Sequence, residues 1–339
     1  MKPVLLATLV AVLLPAPAAK PPYRVVLKTG RVIEADIAEE KNGVFELRDA
    51  AGDERTLARA HVRAIEGDGR FADPEILWRR VPGAGAAPPP SFVRSNVTDG
   101  GGSLDIGVAG YEQADTGRRV YLAGAVHVGH AEYYAALQSI LDAMDLVLWE
   151  GVGAKEKPSA EAIERFDVLF RSQVMLRNML NLDGQLECID YHRSFWRNCD
   201  VSINELEAEL NERGLEMIPN EGLFRLLFGT LFTFIEPESI PRNELIGRSY
   251  RRMVGPMMAA MSDPDSVFDK LGAKGMKDVI IDFRNDHVMQ SLKQLLREPG
   301  PARIAIFYGA GHLPGMDVVL RQELKMRYLG MHWLAAWRY

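Results

Sequence analysis

Strand-like and helix-like segments alternate through residues 104–339, and this alternation limits the fold more than any other feature of the sequence. Apolar runs such as 119–123 and 303–308 are typical of buried strands, whereas 131–143 carries apolar residues at helical spacing. Strands that alternate with helices favour an α/β domain. We therefore predict an α/β fold: a central sheet flanked by helices, with a helical insertion between its two strand-rich halves.

The same patterns predict the individual elements. Strands are expected at 119–123, 145–150, 186–189, 303–308 and 332–337. Helices are expected at 131–143, 159–180, 203–213, 221–234, 242–261, 275–297 and 313–328.

The N-terminus has the features of a secretory signal peptide. Lys2 precedes a short apolar run, and Ala16-Pro17-Ala18 ends it with small residues. The run is too short for a convincing membrane span, although an uncleaved anchor is the alternative. We predict that residues 1–18 are a signal peptide and that the protein is exported, to the periplasm or beyond. Membrane contact is expected only through this peptide, if it stays uncleaved.

Two further regions precede the α/β domain at 104–339. Residues 19–67 contain short alternating runs separated by turn signals, and Asn42-Gly43 is a strong hairpin signal. This pattern predicts a small all-β, barrel-like module that binds or docks. Residues 68–103 are rich in Pro and Gly, which predicts a linker.

Charge and cysteine content exclude some classes of function. The net charge is -6, and neither sign forms a long block, so nucleic-acid binding is not expected. The cysteines, Cys188 and Cys199, do not form a Cys-x-x-Cys zinc motif. Export would permit a disulfide between them, but we favour two unpaired thiols.

Two strand-like runs end in the same motif. The run 120–123 continues into Gly124-Ala125-Val126-His127, and the run 304–308 continues into Gly309-Ala310-Gly311-His312. Glu150 follows a third such run, which ends at Trp149. Glycine permits a sharp turn, and α/β sheets bind ligands beyond the carboxyl ends of their strands. The three side chains His127, Glu150 and His312 are therefore predicted to meet in one crevice.

Two imidazoles and one carboxylate suit a divalent metal site with open positions. Such a site polarises a carbonyl and lowers the pKa of bound water. Nitrogen and oxygen ligands admit Zn, Mn, Fe or Co. A metal-free site is also possible, with a histidine as general base and Glu150 orienting it. The simplest alternative is that each histidine is only a loop or helix-capping residue.

The motif pair, Glu150 and the segment Arg284-Asn285-Asp286-His287 resemble the TraB/GumN/TIKI family over about residues 105–339. The resemblance implies an α/β core shared with erythromycin esterases and ChaN haem-binding proteins. It also implies a metal-dependent peptidase site that uses Mn or Co, with His127, Glu150 and His312 as ligands. Arg284 matches the family's arginine and would anchor a substrate carboxylate or stabilise an oxyanion; the alternative is a structural ion pair.

The neighbouring polar residues have weaker support. His130 is expected at the rim of the site or beside a ligand, and His287 beside the site or at the surface. Tyr133 and Tyr134 are expected to pack in the core, with a pocket hydroxyl as the alternative.

The first hypothesis is a metal-dependent hydrolase that cleaves a peptide or ester bond in a peptide or small-molecule substrate. The absence of a His-Glu-x-x-His motif means that peptidase activity is implied by the resemblance alone. The second hypothesis is a haem- or iron-binding protein, suggested by the tyrosines and histidines near the first motif. The third is a non-catalytic protein that binds a partner through the β module.

Overall fold

A computed structural model describes residues 91–98, 101–153, 171, 173–215, 239–260 and 275–339, and five strands of the N-terminal region. The chain divides into two compact units, Met1–Ala72 and Asp73–Tyr339. The predicted signal peptide 1–18, the linker portion 68–90 and the helix 221–234 lie outside the described residues.

The first unit is an antiparallel sheet, which confirms the predicted β region. Its strands are β1 (Tyr23–Leu27), β2 (Val32–Lys41), β3 (Val44–Arg48), β4 (Glu54–Ala58) and β5 (Val62–Glu66). They lie in the order β4-β3-β2-β1-β5. Lys41 pairs with Val44, so β2 and β3 form the hairpin that Asn42-Gly43 predicts.

The sheet of the second unit has the strands β6 (Val93–Thr98), β7 (Gly101–Glu112), β8 (Arg119–Ala125), β10 (Leu146–Trp149), β12 (Trp196–Asn198), β13 (Arg303–Gly309) and β14 (Arg327–Arg338). They form a mixed sheet in the order β12-β10-β13-β8-β7-β14, with β6 beside β7. The four strands β12, β10, β13 and β8 are mutually parallel, and the rest are antiparallel. Two-residue strands β9 (Val128–Gly129) and β11 (Asp183–Gly184) pair outside this sheet.

Helices connect and cover these strands. They are α1 (Ala131–Asp142), α2 (Gln185–Cys188), α3 (Ile203–Glu212), α4 (Glu244–Ala260), α5 (Arg284–Arg297) and α6 (Leu313–Val318). A π-helical turn, Asp278–Phe283, precedes α5, and another, Val319–Glu323, follows α6. The predicted fold class is therefore confirmed: a central sheet is flanked by helices, and helices separate β12 from β13.

Side chains alternate along the parallel strands and build a core on each face of the sheet. On one face, Tyr121 and Phe307 pack in a cluster with Leu137 of α1. On the other face, Leu122 and Ile306 pack with α5 and α6. Among the described helices, none combines the length and hydropathy that crossing a bilayer requires.

The predicted strand 186–189 is wrong. Residues Gln185–Cys188 form the short helix α2 instead, and the parallel neighbour of β10 is Trp196–Asn198. Leu186 is 61% exposed whereas Ile189 is buried, so this run lacks the continuous burial of a central strand. A segment of four residues is too short for periodicity to distinguish a strand from a helix.

Two predicted boundaries are also wrong. Residues 93–98 and 101–103, predicted as linker, form β6 and the start of β7, because β6 pairs with β7 and β7 also pairs with the C-terminal strand. The last helix does not reach residue 328: its π-helical turn ends at Glu323, and Lys325 adopts a φ of 53°. A left-handed residue ends a helix, and the chain then enters β14 at Arg327.

The packing of α4 against residues 180–181 gives a stability prediction. A Cβ added at Gly247 would lie 2.7 Å from the carbonyl oxygen of Leu180 and from Cβ of Asn181. We expect Gly247→Ala to destabilise the protein by about 1–3 kcal/mol, because overpacking outweighs the better helix propensity of alanine. Urea unfolding measures the change. Ser249→Ala, on the exposed side of α4, should change stability by less than about 0.5 kcal/mol; equal effects would contradict the packing argument.

Candidate active site

Three adjacent parallel strands bring the predicted residues to one edge of the sheet. Trp149 of β10 pairs with Phe307 of β13, and Gly309 of β13 pairs with Ala125 of β8. Beyond these pairs, the Ala310 N–H donates to the Ala125 carbonyl at 2.9 Å, which joins the two Gly-x-x-His turns directly. The backbone therefore brings the ends of these strands together, as the motif pair predicted.

The glycines of the motifs serve a different purpose from the one predicted. Neither Gly124 nor Gly309 has a positive φ, so neither is needed for a left-handed turn. A Cβ on Gly309 would lie 3.2 Å from Oε2 of Glu150, and one on Gly124 would lie 2.7 Å from the Ile106 side chain. Close packing, rather than backbone conformation, favours glycine at both positions, and the contact is tighter at Gly124 than at Gly309.

Glu150 lies at the centre of the site. Its Oε2 accepts a hydrogen bond from the Gly309 N–H, and its Oε1 accepts one from Nη2 of Arg284 at 2.7 Å. Burial raises the pKa of Glu150, but the charges of His312 and Arg284 and the Gly309 N–H outweigh burial and lower it to about 2. Glu150 is therefore a carboxylate at neutral pH.

Asp200 is a member of the site that the sequence reasoning missed. Its side chain is fully buried and accepts two hydrogen bonds from Arg284, at 3.0 Å from Nε and 2.5 Å from Nη2. It also accepts hydrogen bonds from the backbone N–H groups of Gly151 and Val201. Asp200 follows β12, so a correct assignment of that strand would have identified a fourth strand-end side chain.

Arg284 forms the structural ion pair that was one of its two predicted roles. It is buried between Glu150 and Asp200, and its remaining nitrogen, Nη1, lies 3.4 Å from Nε2 of His312. Nη1 also donates to the Ile280 carbonyl, in the π-helical turn before α5. The guanidinium thus balances two carboxylates and still has one N–H group facing the histidine.

Asn285 determines which nitrogen of His312 carries the proton. Its Nδ2 donates to the His312 carbonyl at 3.1 Å, so its Oδ1 is the atom that lies 2.8 Å from Nδ1 of His312. An amide oxygen only accepts, so Nδ1 is protonated and Nε2 carries the lone pair. Burial lowers the pKa of His312 to about 4, against the opposing charge of Glu150, so the ring is neutral at neutral pH.

With its lone pair on Nε2, His312 accepts from Nη1 of Arg284 at 3.4 Å, and the same Nε2 lies 3.6 Å from Oε1 of Glu150. A neutral imidazole, with its other nitrogen tied to a side-chain oxygen, and an ionised carboxylate form a donor set that suits a divalent cation. The same pair also suits proton transfer.

His127 is placed differently from the other two predicted ligands. Its side chain is exposed, although it lies near enough to Glu150 to contribute to lowering the pKa of that carboxyl. In the described part of the chain, no three His, Cys, Asp or Glu side chains are grouped closely enough to hold a metal ion. The structure therefore brings Glu150 and His312 together, and leaves His127 beside them without direct contact.

The hydroxyl groups of two tyrosines hydrogen-bond to the backbone of the turn that carries His127. Tyr133 donates its hydroxyl to the Gly124 carbonyl at 2.9 Å, and Tyr134 donates to the Val126 carbonyl at 2.8 Å. Both rings are buried, as predicted. Their hydroxyls stabilise the backbone of the turn, so these two tyrosines do not themselves support the haem- or iron-binding hypothesis.

The remaining predicted residues lie outside this cluster. His130 is the N-cap residue of α1, and its buried Nε2 has no hydrogen-bond partner among the described residues. His287 is partly buried on α5, outside the ion-pair cluster. Cys188 and Cys199 are both free thiols, as predicted.

Comparison of the chain with models of known protein families, with curated proteins and with solved structures finds no significant match.

Proposed function

We propose that this protein is an exported, metal-dependent hydrolase that cleaves a peptide or ester bond. One observation carries the proposal: at the edge where three parallel strands end, the neutral Nε2 of His312 faces the Glu150 carboxylate at 3.6 Å. The resemblance of the Gly-x-x-His pair to the TraB/GumN/TIKI family supports the same conclusion. Export is supported only by the sequence of residues 1–18.

In this proposal His127, Glu150 and His312 would hold one divalent ion, with Mn, Co, Zn and Fe as candidates. The ion would polarise the scissile carbonyl and lower the pKa of a bound water. Asn285 keeps the His312 lone pair directed at the site. Gly309 and Arg284 hold Glu150 in place and ionised.

Arg284 would have a second role beyond its ion pairs. Its Nη1 makes only long contacts, 3.4 Å to the Ile280 carbonyl and 3.4 Å to Nε2 of His312, whereas the other two nitrogens bond Asp200 and Glu150 at 3.0 Å or less. A guanidinium N–H at this position would stabilise negative charge on a substrate oxygen. Because the carboxylates lock the guanidinium in place, little reorganisation would accompany the reaction.

Metal content tests the proposal. The full chain is loaded with Mn, Co, Zn or Fe separately, desalted, and analysed for bound metal and for hydrolysis of peptide and ester substrates. We expect about one equivalent of one metal, lost together with activity in His127→Ala and His312→Ala. His192→Ala, which removes an exposed histidine, is the matched control and should bind normally. Undiminished metal content in both site variants would refute the proposal.

A further inference from the structure

Tyr191 is packed among aromatic side chains near the ends of β10 and β13. The ring centroids of Trp149, Trp196 and Phe307 lie 4.8, 5.5 and 6.2 Å from its own. The residue is only partly buried, so a ligand can reach it. Close packing holds side chains in defined rotamers, and the direction of the Tyr191 hydroxyl is therefore set by these neighbours.

Packing on β13 places this ring next to the Glu150 carboxylate. Phe307 and Gly309 are two residues apart on β13, so they face the same side of the sheet. The ring of Tyr191 stacks on Phe307. A Cβ on Gly309 would lie 3.2 Å from Oε2 of Glu150. The phenol and the carboxylate therefore occupy neighbouring positions over one strand.

Gln185 links the same hydroxyl to the turn that carries His127. Its backbone N–H donates to the His127 carbonyl at 2.9 Å, and its side-chain Nε2 donates to the Tyr191 oxygen at 2.9 Å. A phenol hydroxyl both donates and accepts. Tyr191 accepts in this bond, and among the described residues its own hydrogen has no acceptor. The hydrogen is therefore available to a ligand bound between His127 and Glu150.

The Tyr191 hydroxyl keeps this hydrogen at neutral pH. Burial raises the pKa of Tyr191, the hydrogen bond from Gln185 lowers it, and the charge of Glu150 raises it further, with a net rise. The phenol is therefore a neutral donor and not a base.

We propose that Tyr191 is a catalytic residue whose hydroxyl donates a hydrogen bond to the substrate carbonyl oxygen as that oxygen becomes negative. This inference rests on the proposed hydrolase function. Arg284 begins α5, which packs on the other face of the sheet, and it reaches Glu150 from there. The developing charge thus meets an N–H donor from one face and an O–H donor from the other. Tyr191 keeps its proton throughout, and Gln185 is a positioning residue that directs the hydroxyl.

Hydrolysis by the metal-loaded full chain tests the proposal, with p-nitrophenyl acetate as the ester and leucine p-nitroanilide as the amide. We expect Tyr191→Phe to lower kcat about 100- to 1000-fold, with little change in KM and the bound metal retained. Gln185→Leu should lower kcat less, and should cause no further loss when added to Tyr191→Phe, because it acts through the hydroxyl. Tyr250→Phe, at an exposed phenol on α4, is the matched control and should be unchanged.

Nuclear magnetic resonance gives a readout that does not depend on turnover. The full chain is labelled with carbon-13 at the Cζ atoms of its tyrosines and loaded with Mn. The paramagnetic ion should broaden the Tyr191 signal far more than that of Tyr328, because Tyr328 lies in β14, three strands from β13. This measurement uses the wild type and holds whatever the stability of the variants.

Two results would overturn the inference alone. One is a folded Tyr191→Phe variant, as shown by urea unfolding, with the kcat of an active, metal-loaded wild type. The other is a bound Mn ion that broadens the Tyr191 signal no more than that of Tyr328. A wild type that binds no metal and cleaves neither substrate would instead refute the proposed function, and this inference with it.

Discussion

Arg284→Met is expected to destabilise the protein by about 3–5 kcal/mol, because it leaves two carboxylates without their shared cation. Asp200 has a fully buried side chain, and that of Glu150 is only 18% exposed, so neither recovers hydration when the guanidinium is removed. The methionine fills much of the volume of the arginine stem, so the loss reflects charge rather than a cavity. The measurement is urea unfolding at neutral pH.

A second substitution separates charge from packing. Asp200→Asn in the Arg284→Met background removes one of the unpaired charges and should recover part of the lost stability. Arg303→Met is the matched control, since its ion pair with Asp145 is exposed on both sides and should contribute less than about 1 kcal/mol. If Arg284→Met proved no more costly than Arg303→Met, the buried ion cluster would not stabilise the fold as argued.

Asn285→Leu is expected to weaken metal binding or turnover by about 10- to 100-fold, the effect typical of removing the partner of a metal-ligating histidine. Leucine is similar in size but offers no acceptor for the Nδ1–H of His312, so the ring is no longer held in one tautomer. Nitrogen-15 NMR of the imidazole reports the tautomer directly. The wild type should show the neutral Nδ1–H form, and Asn285→Leu a mixture.

Asn285→Asp is the control for this prediction. A carboxylate still accepts from Nδ1–H, so the tautomer should be retained, although the hydrogen bond from Nδ2 to the His312 carbonyl is lost. A wild-type spectrum that showed the Nε2–H tautomer would contradict the assignment, whatever the activity of the variants.

Much of the site could be predicted because it depends on local patterns. Apolar runs identified β8, β10 and β13, and parallel strands that are neighbours end at the same edge of a sheet. The residues just beyond those ends, Glu150 and the two Gly-x-x-His turns, were therefore expected together. The fold class followed from the same alternation.

The rest required contacts between residues distant in sequence. Arg284 meets Asp200 across 84 positions and Glu150 across 134. No periodic pattern encodes such pairings, and Asp200 was missed because the short strand before it was assigned ten residues too early. Residues 186–189 were predicted as that strand because four residues are too few for periodicity to separate a strand from the short helix α2.

The sequence by itself determined the α/β architecture, the edge of the sheet at which the candidate catalytic side chains lie, and the glycines and histidines placed there. Tertiary structure alone decided the protonation of the His312 ring, the burial of Arg284 between two carboxylates and the separation of His127 from its predicted partners. Strand and helix periodicity is a property of neighbouring residues, whereas burial, charge compensation and proton position arise only when remote segments exclude water together.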